Sequence, residues 1–130
     1  MTFDAIGIAG SALTVHRKWL DAISDNIANV NTATATSGAA FQERYLVAQA
    51  ATGTGGVFVA GTSLGSAAGR LAYDPTNPLA DGDGMIRLPD IDLSQQMSNL
   101  IMAQRGYEAN AAVVDRAKTT YEAALQIGRG

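Results

Sequence analysis

Apolar residues recur every three or four positions through the first thirty residues of the chain. Because these spacings follow the turn of an α-helix and the pattern repeats every seven residues, they predict a helix with a coiled-coil-like seam. The seam consists of Ile6, Ala9, Leu13, His16, Leu20, Ile23, Ile27 and Val30. After it the sequence turns polar, and Asn29 and Asn31 tolerate left-handed backbone and bond back to nearby main chain. We therefore expect the helix to end at these asparagines.

A second periodic segment fills the C-terminal part of the chain. It begins near PDIDLSQQM, where Asp90 or Asp92 is suited to cap the first turn. Three rows repeat every seven residues: Leu93, Leu100, Tyr107, Val114 and Tyr121; then Met97, Gln104, Ala111, Lys118 and Leu125; then the small residues Ala103, Asn110, Ala117 and Ala124. The first two rows predict another heptad helix, and the small row would let a further helix approach closely.

Between the periodic segments, short apolar runs alternate with turn signals. Four short runs are candidate strands, namely Phe41–Val47, which mixes aromatic and β-branched residues, Val57–Val59, Arg70–Tyr73 and Met85–Leu88. The stretches ATGTGG, TSLGSAAG and NPLADGDG carry the glycines and prolines typical of turns. The middle is therefore predicted to be a small β-hairpin-rich insert.

These elements predict a mainly α fold, in which long N- and C-terminal helices pair as an antiparallel coiled-coil-like bundle. We expect the N-terminal helix in residues 1–32, the insert in 33–89 and the C-terminal helix in 90–130, with the two helices forming one core domain. The sustained repeat of seven favours supercoiled packing against further helices. Since much of the apolar content is alanine, a compact monomer is expected to be only marginally stable.

Composition excludes several classes of function. The 130 residues carry a net charge of −3 without a basic cluster, so nucleic-acid binding has no electrostatic footprint. The absence of cysteine excludes disulfides, thiolate metal sites and cysteine nucleophiles. The N-terminus lacks the basic and apolar regions of a cleavable signal peptide, and no apolar run approaches the roughly 20 residues that span a bilayer. We expect a cytoplasmic protein, or one that is exported without such a signal, and no membrane insertion.

Motifs for catalysis or ligand binding are sparse. His16 lies on the apolar seam, so we expect a packed or interface histidine, and one histidine without cysteine nearly excludes the common nucleophile–base pairs. The glycine-rich stretch at 51–56 fits neither the dinucleotide fingerprint nor the P-loop. ADGDG lacks the later ligands of a calcium loop, so residues 74–92 are expected to be solvated turns. We predict no cofactor and no small-molecule substrate. Gly106 within the second helix would be explained by another helix crossing close to it.

Two longer stretches resemble a known family. SALTVHRKWLDAISDNIANVNT resembles the N-terminal signature of bacterial flagellar rod and hook proteins, in which a helix ends in a variant of N-I-A-N-x-x-T. Residues 91–114, IDLSQQMSNLIMAQRGYEANAAVV, resemble the C-terminal signature of the same family, and residues 73–93 are similar to a stretch that marks its proximal-rod members. The motif positions are Asn26, Asn29, Asn31, Thr32, Gln104, Gly106, Tyr107 and Asn110.

The resemblance implies a non-enzymatic subunit of the flagellar basal-body rod, without catalytic residues, cofactor or metal. In this family the terminal helices pack together and against neighbouring subunits, forming the inner layer of a hollow torque-transmitting tube that crosses the periplasm. Such subunits leave through the flagellar type III export apparatus. The implied partners are other rod subunits and copies of the chain itself, with basal-body ring and export-gate proteins. The residues expected at the subunit interface are Ile6, Leu13, Leu20, Ile23, Ile27, Leu93, Met97, Leu100, Tyr107, Val114, Tyr121 and Leu125.

Three alternatives remain open on the sequence. Another axial protein or a type III secretion rod component would share the helices, although a simple needle subunit needs no acidic loop. A cytoplasmic helical-hairpin adaptor would share the periodicity. A wall-lytic enzyme would need a carboxylate general acid in a cleft, and the candidates Glu43 and Asp74 lie in segments without a visible framework for one.

Overall fold

The computed structural model describes residues 2–130, with side chains from residue 4 onward. Two long helices flank four short strands, as the hydrophobic pattern predicts. The elements are α1 (Thr2–Asn29), β1 (Arg44–Ala50), β2 (Val57–Leu64), β3 (Arg70–Tyr73), β4 (Met85–Leu88) and α2 (Leu93–Gly128). The strands form two separate two-stranded sheets, β1–β2 and β3–β4.

Side-chain hydrogen bonds mark the inner ends of both helices. At the end of α1, Asn29 Nδ2 donates to the carbonyl oxygen of Asp25 at 2.8 Å, and Thr32 Oγ1 donates to Asn29 Oδ1 at 3.1 Å. No non-glycine residue in the described range has a positive φ, so the helix ends without a left-handed asparagine, and the predicted bond back to the main chain is made by Asn29. At the start of α2, the Asp92 carboxylate accepts from the backbone N–H of Gln95 at 3.1 Å, which confirms one of the two predicted caps.

The two helices run side by side in opposite directions. Asn26, near the end of α1, contacts Gln96 near the start of α2, whereas His16 lies over Gly106 farther along α2. In α2, the side facing inward carries the small-residue row, with Ala103 fully buried and Asn110 and Ala117 half-buried. The predicted close approach along this row is therefore made by α1 of the same chain.

The β1–β2 hairpin packs against α1. Its antiparallel register runs from Arg44 opposite Leu64 to Ala50 opposite Val57, with a bulge after Val47. The backbone N–H of Val57 donates to Ser11 Oγ at 3.0 Å. Gly56, which precedes Val57, has a φ of 104°, and a Cβ there would lie 2.8 Å from the same hydroxyl oxygen. Both the backbone conformation and the close approach therefore require glycine at this turn.

The β3–β4 hairpin is held by the chain that leaves α1. Thr34 exchanges two backbone hydrogen bonds with Arg87 of β4, each of 2.9 Å. The Arg87 guanidinium also donates to the carbonyl oxygens of Thr36, at 2.6 Å, and of Ala68. Within residues 2–130, this second hairpin makes no extended contact with either helix. These hydrogen bonds therefore hold the segment that follows α1 against strand β4 of the second sheet.

Helix α2 is longer than α1. Their 36 and 28 residues correspond to about 54 and 42 Å at 1.5 Å per residue. Residues 118–130, which we call the α2 overhang, are exposed throughout. No helix in the described range is both long and apolar enough to cross a membrane.

Candidate assembly surface

Most of the large apolar side chains of α2 lie outside the helix pair. The predicted interface residues Leu93, Met97, Tyr107, Tyr121 and Leu125 are exposed, and Leu100 and Val114 are half-buried. Four further large apolar residues that the predicted interface omits are also exposed, namely Ile101, Met102, Val113 and Ile127. We call the nine exposed residues of these two sets the outer α2 surface. Exposed apolar surface of this extent is typical of a protein that packs against others.

On α1, the predicted interface residues differ in accessibility. Ile23 is only 2% exposed and packs inside the chain. Ile6, Leu13, Leu20 and Ile27 are half-buried, so each retains some surface for a second contact. Whether these residues meet neighbouring subunits stays a prediction, because it concerns contacts beyond a single chain.

Three buried polar side chains join α1, α2 and the start of β1, and we call them the polar junction. They are Asn26, Glu43 and Gln96, which are 1%, 9% and 1% exposed. Asn26 Nδ2 donates to Gln96 Oε1 at 3.1 Å, and Gln96 Nε2 donates to Glu43 Oε1 at 2.5 Å. Asn26 also pairs with the backbone of Arg44, donating to its carbonyl oxygen at 3.0 Å and accepting from its N–H at 2.9 Å. Buried polar groups in a satisfied network of this kind favour one arrangement of the elements they join.

Tyr45 extends the polar junction toward solvent. Its hydroxyl donates to Glu43 Oε2 at 2.6 Å. This hydrogen bond raises the pKa of Tyr45 to about 12, and burial together with the negative charges of Glu43 and Asp90 acts in the same direction. The neutral phenol is therefore the form that the folded chain stabilises.

His16 is a packing residue, as predicted from its place on the seam. Its Nδ1 lies 2.8 Å from the carbonyl oxygen of Ala12 one turn earlier, and its ring centroid is 6.1 Å from that of Trp19. A Cβ built on Gly106 would overlap the imidazole. The predicted reason for a glycine at this position, a helix crossing close by, is therefore confirmed, and the crossing helix is α1.

The insert also exposes apolar side chains. On the first hairpin these are Tyr45, Val47, Phe58 and Leu64, and around the second they are Leu71, Tyr73 and Leu79. Val47 and Tyr45 alternate with Leu46, which lines an apolar cleft against Val15 and Trp19 of α1. One face of the first hairpin thus meets α1 while the other faces outward.

The carboxylates considered for chemistry are engaged in local structure. Both Glu43 carboxylate oxygens accept hydrogen bonds inside the polar junction, and Asp74 accepts from Thr76 and Asn77 of its own loop. In the acidic loop, the backbone N–H of Met85 and the Thr36 hydroxyl hold the pKa of Asp81 below its usual value. Across the described residues, no three histidine, aspartate or glutamate side chains come close enough to share a metal ion. The loop is a set of hydrogen-bonded turns, as predicted.

The polar junction is the main feature that the sequence prediction missed. Asn26 lies between the seam residues Ile23 and Ile27 without belonging to the seam, although it is one of the motif positions. Gln96 stands seven residues before Ala103, so extending the small-residue row backward would have placed it on the buried side of α2. Nothing local marks Glu43, which comes from a separate element. Of the other motif positions, Asn110 Nδ2 donates to the carbonyl oxygen of Gly106 at 2.8 Å, and Gln104 is exposed.

Comparison with known proteins gives matches at both ends of the chain and along its length. The family model described as "Flagella basal body rod protein" matches residues 6–38, and "Flagellar basal body rod FlgEFG protein C-terminal" matches residues 83–127. The flagellar basal-body rod protein FlgC of Salmonella typhimurium is 37% identical over 126 residues, covering 94% of each chain. The proteins of the same name from Borreliella burgdorferi and Bacillus subtilis are 32% and 28% identical, covering 98% of each chain. The similarity therefore includes the insert between the two matched ends.

Proposed function

The chain belongs to the FlgC family of flagellar basal-body rod proteins, and we propose that the outer α2 surface is where it packs against neighbouring rod subunits. As a member of this family, it is a structural subunit of the flagellar basal-body rod. One observation carries the proposal. Helix α2 meets α1 through its small-residue row, which leaves its large apolar side chains exposed. Burying these side chains against neighbours would stabilise an assembly by about 25 cal/mol per Å² of apolar surface.

The proposed interface comprises the accessible part of the two helical stripes. On α2 it takes in Leu93, Met97, Tyr107, Tyr121 and Leu125, with the half-buried Leu100 and Val114 at its margin. On α1 it takes in the half-buried Ile6, Leu13, Leu20 and Ile27, while Ile23 supports them from inside the chain. Because these residues recur every seven positions along each helix, their spacing favours coiled-coil packing between subunits.

The proposed division of the chain follows from this interface. Residues 1–32 and 90–130 form one helical core domain that builds the inner tube, and residues 33–89 form an insert that reaches neighbouring subunits or the surrounding layer. The outward apolar side chains of both hairpins support this role for the insert. A helical array does not close through a single self-complementary patch, so each subunit needs different faces for successive neighbours. The outer α2 surface and the insert supply such faces.

The wider setting is proposed from family membership. We place the subunit in the periplasmic, proximal part of a hollow rod that transmits torque, reached by flagellar type III export. Its partners would be copies of itself, other rod subunits, and ring and export-gate proteins of the basal body. A purely structural role without catalysis is supported by the names of its relatives, which refer to the rod, and by the internal hydrogen bonds of Glu43 and Asp74.

Replacing Leu125 with Asp tests the proposed interface. Leu125 is exposed in the α2 overhang, so the single chain should fold with unchanged helicity by circular dichroism. In the rod the carboxylate would be buried without a partner, at a cost of about 3–5 kcal/mol. We expect incorporation of L125D into purified basal bodies to fall at least a hundredfold, with loss of swimming.

The matched control is Gln126→Asp, which places the same charge at the next exposed position and removes only a polar side chain. It should assemble at least ten times better than L125D. The proposal is wrong if L125D folds normally and enters basal bodies as efficiently as the unaltered chain.

A further inference from the structure

The apolar pattern alone leaves the alignment of the two helices ambiguous. Both helices repeat their apolar residues every seven positions. Sliding α2 along α1 by seven residues therefore brings equivalent rows back into contact. Some other feature has to select one alignment among these.

We propose that the polar junction and the His16–Gly106 contact together set the register of the helix pair. The two contacts lie ten residues apart on each helix, from Asn26 back to His16 and from Gln96 forward to Gly106. In an antiparallel pair, ten residues back along α1 and ten residues forward along α2 cover the same distance in the same direction. A single alignment of the two helices therefore makes both contacts. That alignment satisfies both contacts at once, and it is the one the chain adopts.

The polar junction disfavours slipped alignments through unpaired buried groups. A slip of seven residues places Asn26 opposite Ala103 in one direction and opposite Pro89, which precedes the helix, in the other. Neither residue has a side-chain acceptor for the Asn26 amide. Gln96 likewise loses its Asn26 partner, although both amides are buried in the observed alignment. Because a buried polar group without a partner is costly, each slipped alignment is disfavoured.

The His16–Gly106 contact disfavours the same slips through shape. A slip of seven residues would place His16 opposite Val113 or Asn99, and both carry a side chain where only glycine leaves room for the imidazole. The contact of Nδ1 with the Ala12 carbonyl oxygen holds the ring in place on its own helix. The ring therefore has little freedom to swing aside.

Register matters because the strands of the first hairpin pack against α1 and not against α2. The first hairpin contacts α1 through Ser11 and Asn26. A slip would move the outer α2 surface by about 10 Å relative to the hairpin, since each residue rises 1.5 Å. Asn26, Gln96, His16 and Gly106 are thus positioning residues for the composite surface of the subunit. The inference rests on contacts within one chain and does not depend on the proposed function.

Distance measurement between two spin labels tests the register directly. The chain has no cysteine, so Ser24→Cys on α1 and Thr119→Cys on α2 provide two exposed attachment sites well separated along the helix axis. Pulsed electron paramagnetic resonance on the full chain should give one narrow distance distribution. Adding Gln96→Met and His16→Ala should produce a second population displaced by about 10 Å, because both contacts are then lost.

The matched control carries Gln95→Met and Arg17→Ala, which are adjacent exposed positions, and should keep the single narrow distribution. If Gln96→Met with His16→Ala loses helicity, the test uses Gly106→Ala and the double variant Gly106→Ala with His16→Ala instead. Gly106→Ala alone should broaden the distribution, and Gly106→Ala with His16→Ala should restore it, since the polar junction remains. A broad distribution in the otherwise unaltered chain overturns the proposal. So does an unchanged narrow one in folded Gln96→Met with His16→Ala or, where that variant loses helicity, in Gly106→Ala.

Discussion

Asn26 uses its whole side-chain amide to join three elements of the fold. Its Oδ1 accepts from the N–H of Arg44, and its Nδ2 donates both to the Arg44 carbonyl oxygen and to Gln96. A leucine of similar size would leave the Arg44 backbone and the Gln96 amide without these bonds, at about 1–3 kcal/mol for each buried group. This requirement explains why a polar residue stands at a fully buried position of α1.

Tyr45 gives the polar junction a measurable dependence on pH. Its hydrogen bond to Glu43 raises the pKa of the phenol from 10.0 to about 12. Because folding favours the protonated phenol, this contribution to stability is complete below pH 10 and is lost as the pH rises from 10 to 12. In an absorbance titration at alkaline pH, one of the four tyrosines should ionise near pH 12, and Tyr45→Phe should remove that component. The absence of a component near pH 12 in the folded chain would contradict the assigned hydrogen bond.

At the scale of elements, the helix pair depends on a close approach at Gly106. Alanine is normally favoured over glycine within a helix by up to about 1 kcal/mol. At Gly106, however, the added Cβ meets the imidazole of His16, and overpacking of this kind costs about 1–3 kcal/mol. We therefore expect Gly106→Ala to lower the free energy of unfolding measured in urea.

Gly7→Ala provides the opposite control on α1. Nothing lies within 4 Å of a Cβ at Gly7, so this substitution should raise the free energy of unfolding by up to about 1 kcal/mol. Equal stabilisation by both substitutions would show that α1 does not approach Gly106 as closely as described.

The helices and strands were largely predictable because their signals are local. Periodicity gave both helices, β3 and β4 were predicted with their observed bounds, and Asp92 was one of two proposed caps. The packing side of α2 was not predictable in the same way. Both Leu93 and Ala103 belong to heptad rows, and the choice between them depends on whether the partner is α1 or another subunit. That information is not local to either helix.

The polar junction could be predicted only in part. The row that repeats every seven residues places Gln96 on the same side of α2 as Ala103, and Asn26 is one of the family motif positions. The hydrogen bond between Gln96 and Glu43, however, joins residues 53 positions apart, and no spacing rule connects a helix position with the start of a distant strand. Its existence depends on the insert folding back against both helices.

At the scale of the whole molecule, the single chain has a thin apolar core. Among residues 4–130, three of the seven buried hydrophobic residues are alanines, whereas the exposed hydrophobic residues include leucine, isoleucine, phenylalanine, methionine and tyrosine. Because larger side chains contribute more on burial, much of the available apolar stabilisation lies on the outside. Because a partner that binds only the folded state stabilises that state, a subunit of this kind gains stability when its partners bind.

The most direct test of the proposed assembly is the accessibility of the outer α2 surface in free and assembled subunits. With no native cysteine, Leu125→Cys supplies a single thiol in the α2 overhang for reaction with a maleimide. The thiol should react at least ten times more slowly in purified basal bodies than in the free subunit, and denaturing the basal bodies should restore full labelling. Equal rates in the free and assembled subunits would contradict the proposal that this surface is buried in the rod.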